Sequence, residues 1–312
     1  MCIRDRDIPT ANYQEFTPNT LSAGLKFIDQ QTPPVVLKAD GLAAGKGVVI
    51  AQSLAEAKTE LEAMLGGKFG AASEKVVIEQ FLSGIEFSVF VLTDGIDYKI
   101  LPIAKDYKKI GEGDTGLNTG GMGAISPPPF VDEEMMQKVE QKIVKPTLAE
   151  IQSRGIEYRG FIFLGLISVD NEPYVIEYNC RMGDPETEVV LPRVKSDFVE
   201  LLNSLFDGSL KNVKLELEPQ TAATVMLVSG GYPQKYEKGK LMTGIKTVEN
   251  SLIFHAGTKE NDMGNVVTNG GRVMALTSFG DNFEKAVSQS LENAKKIDFE
   301  GKYYRKDIGF DL

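Results

Sequence analysis

The sequence is poor in the side chains from which many metal centres and nucleophilic triads are built. Its 312 residues include two cysteines, Cys2 and Cys180, and one histidine, His255. Two cysteines this far apart make neither a CxxC zinc site nor a disulfide framework, so a reducing compartment is the default. A lone histidine leaves little room for His-based triads, and His255 is most simply structural or on the surface. No apolar run approaches the roughly 20 residues that span a bilayer, and no apolar segment opens the chain as a secretory signal would. A soluble, cytoplasmic protein without membrane association is expected. Positive charge is also in deficit: 34 Lys and Arg stand against 44 Asp and Glu, a formal net charge of -10. Such a field repels a polyphosphate backbone, so general nucleic-acid binding is not expected, while a local basic pocket for one nucleotide remains compatible. What is present is ordinary globular composition, 42% hydrophobic and 25% charged, in a chain too long for one small core.

The first six or seven residues, Met1-Cys2-Ile3-Arg4-Asp5-Arg6, lack periodicity, and Ile8-Pro9-Thr10-Ala11 begins as if in the middle of a connection. Residues 1–7 are expected to be a non-native scar, with native sequence missing upstream. Beyond them strands and helices alternate. Val35 to Ala39 and Gly47 to Ala51 predict a hairpin around a Gly-rich loop. Ser53 to Leu65 predicts a helix, with capping-box spacing between Ser53 and Glu56. Val76 to Gln80, Glu86 to Leu92 and Tyr98 to Ala104 predict three strands. Gly111 to Pro129, rich in Gly and Pro, is expected to be one long loop. Asp132 caps a helix bent at Pro146 and stopped by Gly155. Two strands, Gly160 to Val169 and Pro173 to Asn179, flank a turn at Asp170-Asn171. A helix near Ser196 to Phe206 follows, then strands at Ala223 to Ser229 and Arg272 to Thr277, and a final helix capped by Asp281. The class is mixed α+β, largely antiparallel, with a boundary in Lys214 to Gln220.

Four segments carry candidate chemistry. Lys38 precedes Asp40-Gly41-Leu42-Ala43-Ala44-Gly45-Lys46-Gly47, and such a loop brings backbone N–H groups close to phosphate oxygens. It is not a Walker A loop, because the glycine spacing is one short, no Ser or Thr follows Lys46, and it joins strand to strand. A Gly-rich turn alone favours an ordinary hairpin. Lys38, however, sits in the apolar run Val35-Val36-Leu37, where an anionic ligand would explain its charge. Glu79-Gln80-Phe81-Leu82-Ser83-Gly84-Ile85-Glu86 joins two strands with acids at both ends; alone it favours an exposed turn with two solvated acids over a junction that reads an adenine edge and ribose hydroxyls. In Tyr174-Val175-Ile176-Glu177-Tyr178-Asn179 the period of two puts Glu177 and Asn179 on one face, with hard oxygens of the kind Mg2+ prefers. Arg181 keeps that parity and offers a fork for a phosphoryl group. The alternative is a plain acidic strand end. Asp114 to Gly123 spends so much glycine that either ordering by substrate or a disordered linker fits.

Taken together and in this order, these segments resemble the phosphoribosylamine-glycine ligases of the ATP-grasp superfamily. The resemblance runs from Ile8 to Gly309 and is carried by Lys38 to Gly47, by Asn118-Thr119-Gly120-Gly121-Met122-Gly123, by Arg181-Met182-Gly183-Asp184-Pro185-Glu186 and by Thr268-Asn269-Gly270-Gly271-Arg272-Val273. It implies an ATP-grasp fold, two α+β subdomains clasping ATP, at residues 8–80 (the lid) and 81–213 (the core). A small C-terminal α/β domain at 214–312 follows, and the family's N-terminal doubly wound domain is missing. The implied activity joins glycine to 5-phosphoribosylamine with ATP and Mg2+ or Mn2+, through a glycyl phosphate, in purine synthesis by a monomer. Lys38, with the loop residues Gly41, Gly45, Lys46 and Gly47, would contact ATP phosphates. Glu79, Phe81 and Leu82 would flank adenine, and Glu86 would hold the ribose. Glu177 and Asn179 would bind metal, Arg181 would stabilise the transferring phosphoryl group, and Asp184 and Asp114 would serve the substrate side. The family's usual Asp-His-Lys-Arg reads here Asp106-Tyr107-Lys108-Lys109. The position thirteen before Glu177, acidic in many ATP-grasp enzymes, is Leu164. Two alternatives are a sister ATP-grasp ligase acting on another carboxylate, and a nucleotide-binding module that no longer catalyses.

Overall fold

The protein is described by a computed structural model over residues 6–41 and 47–312. It divides into two compact units, Pro9–Ile85 and a second that joins the N-terminal segment ending at Ile8 to Glu86–Leu312.

The smaller unit contains β1 (Tyr13–Phe16), α1 (Leu21–Ile28), β2 (Val35–Ala39), β3 (Val48–Ala51), α2 (Leu54–Ala63) and β4 (Val76–Gln80). Its sheet runs β1-β4-β2-β3, antiparallel throughout. Val35 and Leu37 alternate onto the face that packs with Phe16, Ile28, Ala57, Leu61, Met64 and Ile78. Ser53 Oγ accepts from the Glu56 amide at 3.1 Å, as the capping spacing predicts. The Glu56 carboxylate returns to the amide of Gln52, at 2.7 Å, one residue before the cap.

The larger unit holds β5 (Ile85–Thr93), β6 (Tyr98–Ile100), β7 (Lys105–Asp106), β8 (Lys109–Gly111), β9 (Thr115–Asn118), β10 (Gly123–Ser126), α3 (Glu133–Val139), α4 (Lys145–Ser153), β11 (Gly160–Val169), β12 (Glu172–Asn179), α5 (Thr187–Val190), α6 (Phe198–Asp207), β13 (Thr221–Val228), β14 (Leu252–His255), β15 (Thr258–Glu260), β16 (Val266–Thr268), β17 (Arg272–Gly280) and α7 (Phe283–Lys296). One sheet is ordered β12-β11-β5-β6 and another β14-β17-β13-β10-β7, with two-stranded ribbons β8-β9 and β15-β16. The five-stranded sheet therefore joins strands from 105–126 to strands from 221–280. Asp170 and Asn171, at φ +50° and +60°, make the two-residue turn between β11 and β12, a conformation that Asp and Asn tolerate better than most side chains.

Three local expectations are corrected. Gly111 to Pro129 is not one loop: it includes β9 and the wholly buried β10, whose residues Gly123 to Ser126 pair with Val225 to Ala222. The glycine and proline content masked a strand that has only four residues. The helix at Asp132 does not simply bend at Pro146. Its ladder switches to i→i+5 spacing over Glu140–Val144, with the Lys145 amide bonding to Glu140 O, so Pro146 falls in the first turn of a renewed helix, where its missing N–H costs nothing. The last helix is capped by Asn282, whose Oδ1 accepts from the Lys285 amide at 3.0 Å, while Asp281 pairs with the Lys285 side chain. Among the described residues no helix is long and apolar enough to cross a membrane.

Candidate functional site

In the smaller unit Lys38 Nζ lies 2.6 Å from Glu79 Oε2, with about a fifth of each side chain exposed. The register sets Val36 opposite Glu79 and Lys38 opposite Val77, so lysine and glutamate are diagonal neighbours on the face turned away from the core. Glu79 thus offsets part of the cost of a charge in this apolar strand, a role the sequence argument assigned to a ligand. Gly41 donates its N–H to Ala72 O at 2.9 Å, and a Cβ there would come within 2.6 Å of Ala72 Cα, so close backbone approach accounts for this glycine. Gly47 O accepts from Ala39 N at 2.8 Å. Gly45 and Lys46 lie outside the described residues. Phe81 is exposed and Leu82 half-buried in the connection after β4.

In the larger unit the end of β12 presents Glu177, Asn179 and then Arg181. Asn179 Nδ2 donates to Glu177 Oε1 at 3.0 Å, and Arg181 Nη2 lies 3.5 Å from Asn179 Oδ1. Gly165, opposite Glu177 in the register, leaves its side chain room: a Cβ would sit 2.9 Å from Glu177 Cγ. A carboxylate and an amide oxygen on one face fit a hard divalent cation. Among the described residues no group of three or more His, Cys, Asp or Glu side chains is placed to hold a metal.

Beside this strand end lies a charge network that the sequence did not disclose. Glu86, at the start of β5, takes Lys108 Nζ at 2.5 Å, and the same ammonium is 3.8 Å from Asp106. Burial works against the Lys108 charge, but Asp106, Glu86 and Glu177 outweigh it and its pKa is raised. Burial raises Asp106 as well, against the pull of Lys108. Glu186, almost fully buried, accepts from Ser88 Oγ at 3.2 Å. Its carboxyl is pushed up to about 7, first by burial and then by the charge of Asp106. Gly183 makes that packing possible, since a Cβ there would fall 2.5 Å from Glu186 Oε2.

The two aspartates expected on the substrate side are each held by a distant arginine. Arg272 Nη1 and Nη2 donate to Asp184 Oδ1 and Oδ2 at 2.7 and 2.6 Å. Asp114, at φ +52°, accepts from Arg305 Nη1 at 2.5 Å, and the fully buried Arg305 also grips Asp307 through two bonds of 2.8 Å. Tyr107, where the family has histidine, is buried with its hydroxyl donating to Asp311 at 2.9 Å and Lys105 Nζ 4.6 Å from its ring centroid. His255 is exposed and bonded to Thr258 Oγ1 at 2.9 Å. The sequence reading gave no role to Lys108, Glu186, Arg272 or Arg305. The local hints were Arg305 two residues from Asp307 and Lys108 two residues from Asp106; Lys108 reaches Glu86 across 22 residues, and the pairings of Arg272, Glu186 and Arg305 with Asp184, Ser88 and Asp114 span 88 or more.

With this geometry in place, comparison with known proteins defines the class first. The model of the phosphoribosylglycinamide synthetase ATP-grasp (A) domain matches residues 2–187, and that of the phosphoribosylglycinamide synthetase C domain matches residues 222–311. The ATP-grasp fold is echoed in the biotin carboxylase domain of the Hydrogenobacter thermophilus 2-oxoglutarate carboxylase, crystallised with MgADP and bicarbonate. That likeness has a TM-score of 0.70 at 15% identity, covers 98% of this chain and 66% of that one, and concerns the fold alone. The chain belongs to the phosphoribosylglycinamide synthetase family. It is 45% identical over 312 residues to a phosphoribosylamine-glycine ligase of Nostoc sp., covering 99% of this chain and 73% of the relative. It is 47% identical to one of Fusobacterium nucleatum, covering 97% and 71%. The crystal structure of a phosphoribosylamine-glycine ligase from Thermotoga maritima superposes with a TM-score of 0.87 at 39% identity, covering 98% and 76%.

Proposed function

We propose that this chain joins glycine to 5-phosphoribosylamine at the expense of ATP, giving glycinamide ribonucleotide, ADP and phosphate, a step of purine synthesis in the cytoplasm. The observation that carries this reading is the match to both family models together with 45% identity across 99% of the chain. A carboxylate oxygen of glycine attacks the γ-phosphorus and the bond to the β-phosphate oxygen breaks, releasing ADP. The amine nitrogen of phosphoribosylamine then attacks the acyl carbon, phosphate leaves, and the nitrogen loses a proton. Such a sequence depends on positioning and on neutralising charge, which suits a protein whose single histidine is exposed.

Each residue has a task in that scheme. Lys38, with the loop residues Gly41, Gly45, Lys46 and Gly47, neutralises ATP phosphates; Glu79 orients Lys38. Phe81 and Leu82 face adenine and Glu86 the ribose. Glu177 and Asn179 would hold Mg2+ or Mn2+, which would screen the charge of the phosphate oxygens from the attacking carboxylate. Arg181 stabilises the transferring phosphoryl group, and Asp184 and Asp114 hold the substrates. We assign residues 8–80 to an ATP-binding lid, 81–213 to the catalytic core and 214–312 to the C-terminal domain of a monomer that uses neither nucleic acid nor membrane. Glycine labelled with 18O in both carboxylate oxygens tests the order of bond making. One label should appear in the released phosphate and one stay in the amide, whereas phosphate free of label would refute the glycyl phosphate.

A further inference from the structure

Three loops of the larger unit meet at Arg272, the first residue of β17. Besides its fork to Asp184, the guanidinium donates from Nη1 to Gly120 O at 2.6 Å and lies 3.4 Å from Asp184 O. Gly120 is what lets it approach, because a Cβ there would come within 2.8 Å of Arg272 Cζ. The Gly120 amide in turn donates to the Tyr232 hydroxyl at 2.9 Å. Gly121, at φ +117°, packs so closely on Pro185 that a Cβ would fall 2.1 Å from Pro185 Cδ. The 118–121 backbone, the 183–186 loop and the 270–272 turn are therefore fixed against one another by one side chain and close glycine contacts.

This arrangement contributes little as a stabilising device. Asp184 is 58% exposed, and ion pairs with an exposed member add little to stability. What the fork does achieve is geometric: a bidentate guanidinium fixes the plane of a carboxylate and leaves its outward lone pairs free to accept. Nearby, Glu188 Oε2 is buried with no hydrogen-bond partner, and its carboxyl is pushed up, first by burial and then by the charge of Asp184, so this corner sets two carboxyl groups against one arginine. A small amino acid carries an ammonium group, and a fixed carboxylate beside an unpartnered carboxylate oxygen is the chemistry that recognises one.

The geometry points to Arg272 as a positioning residue that orients Asp184 to receive the amino group of the glycine substrate, so that the C-terminal segment sets amino-acid specificity in the core. This rests on the reading of Asp184 as a substrate-side residue. Because Arg272 acts through Asp184, the two should fail as one unit.

The test compares Arg272→Ala, Arg272→Lys, Asp184→Asn and the double variant Arg272→Ala/Asp184→Asn in the full chain, with glycine and with glycolate, which has the carboxylate but a hydroxyl in place of the ammonium. Each single variant should lower kcat/KM for glycine about 100-fold and shrink the preference for glycine over glycolate at least tenfold, with KM for ATP changed less than threefold. The double variant should be no worse than the poorer single, Arg272→Lys should stay close to Arg272→Ala because it lacks the fork, and added guanidinium should restore part of the Arg272→Ala activity. If Asp184→Asn is impaired but the losses multiply in the double variant, Arg272 does not act through Asp184 and the inference is wrong. If Asp184→Asn behaves as the parent protein, the substrate-side reading of Asp184 fails and the inference falls with it. Amide hydrogen exchange adds a readout independent of turnover. Arg272→Ala should speed exchange at 118–123 and 183–187 at least tenfold, and unchanged exchange there would contradict the three-loop tie.

Discussion

The two units hold their candidate residues in different ways. In Pro9–Ile85 the main ion pair of the candidate site, Lys38 with Glu79, joins adjacent strands of one sheet, and the helix beside it is capped by residues three apart. In the larger unit Asp184 depends on an arginine 88 residues away and Asp114 on one 191 away, while Glu186 bonds to Ser88 across 98 residues. The smaller unit keeps this pair within one sheet, on the face turned away from its core, and should lose ligand affinity without losing its fold. The larger unit couples site and scaffold, so changes to its charged residues should register in both. The contrast in topology is one of degree: β3 and α2 separate the strands of Lys38 and Glu79 in the chain, whereas the five-stranded sheet must close chain segments about 100 residues apart, and loop entropy grows with that length.

The largest effect should break the larger unit. Arg305 is wholly buried, and Arg305→Ala would strand Asp114 and Asp307 without their partner, so chemical denaturation should show a loss of about 3–5 kcal/mol. A loss below about 1 kcal/mol would mean that the site there is not tied to the scaffold. Next, Glu177→Ala should cut turnover by about 100- to 1,000-fold, on the scale of removing one preorganised electrostatic group, with raised demand for divalent metal. Lys38→Ala is the counterpart in the smaller unit: KM for ATP should rise about 10- to 100-fold. Its melting temperature should move by only a few degrees, and a collapse of the fold would erase the contrast between the units.

Smaller still is a pH effect. The Glu186 carboxyl has a folded pKa raised to about 7, first by burial and then by Asp106, above its unfolded value of about 4.5. The folded state therefore keeps this proton longer, and the stability linked to it is full below about pH 4.5 and lost as pH rises through about 7. Glu186→Gln removes the titration, so its stability relative to the parent should climb by about 2 kcal/mol between pH 5 and pH 8 in paired thermal melts. A difference that stays flat with pH would show that Glu186 is ionised throughout. Least of all, Ser53→Ala should cost about 1 kcal/mol by unfreezing the start of α2, with no change in kinetics.

The same contrast explains what could be read in advance. The apolar, β-branched runs in Val35 to Ala39 and Val76 to Gln80, and the Ser53 cap, are local signals, and the structure shows all of them. β10 was read as loop because Gly123 and the prolines after it look like breakers. The glycine sits there because Thr224 O occupies the place of a Cβ at 2.7 Å, a fact about another strand. Lys38 was legible as an anomaly, but its partner Glu79 was not, since register is not written in either strand alone. Glu177 and Asn179 could be paired by parity within one strand. The Asp184–Arg272 fork could not be, because nothing near either residue announces the other. Tyr107, as a departure from the family's histidine, spoke against a substrate-side role for its segment, and its hydroxyl is engaged by Asp311 in the C-terminal tail.

The central claim is tested most directly by ADP release from Mg-ATP with glycine and phosphoribosylamine supplied separately, together, or replaced by D-alanine and bicarbonate. The account predicts ADP and phosphate in equal amounts with glycinamide ribonucleotide only when both substrates are present, and loss of that signal in Glu177→Ala. Sustained ADP release with bicarbonate or D-alanine in place of glycine, or tight Mg-ATP binding with no ADP formed from the complete mixture, would contradict it.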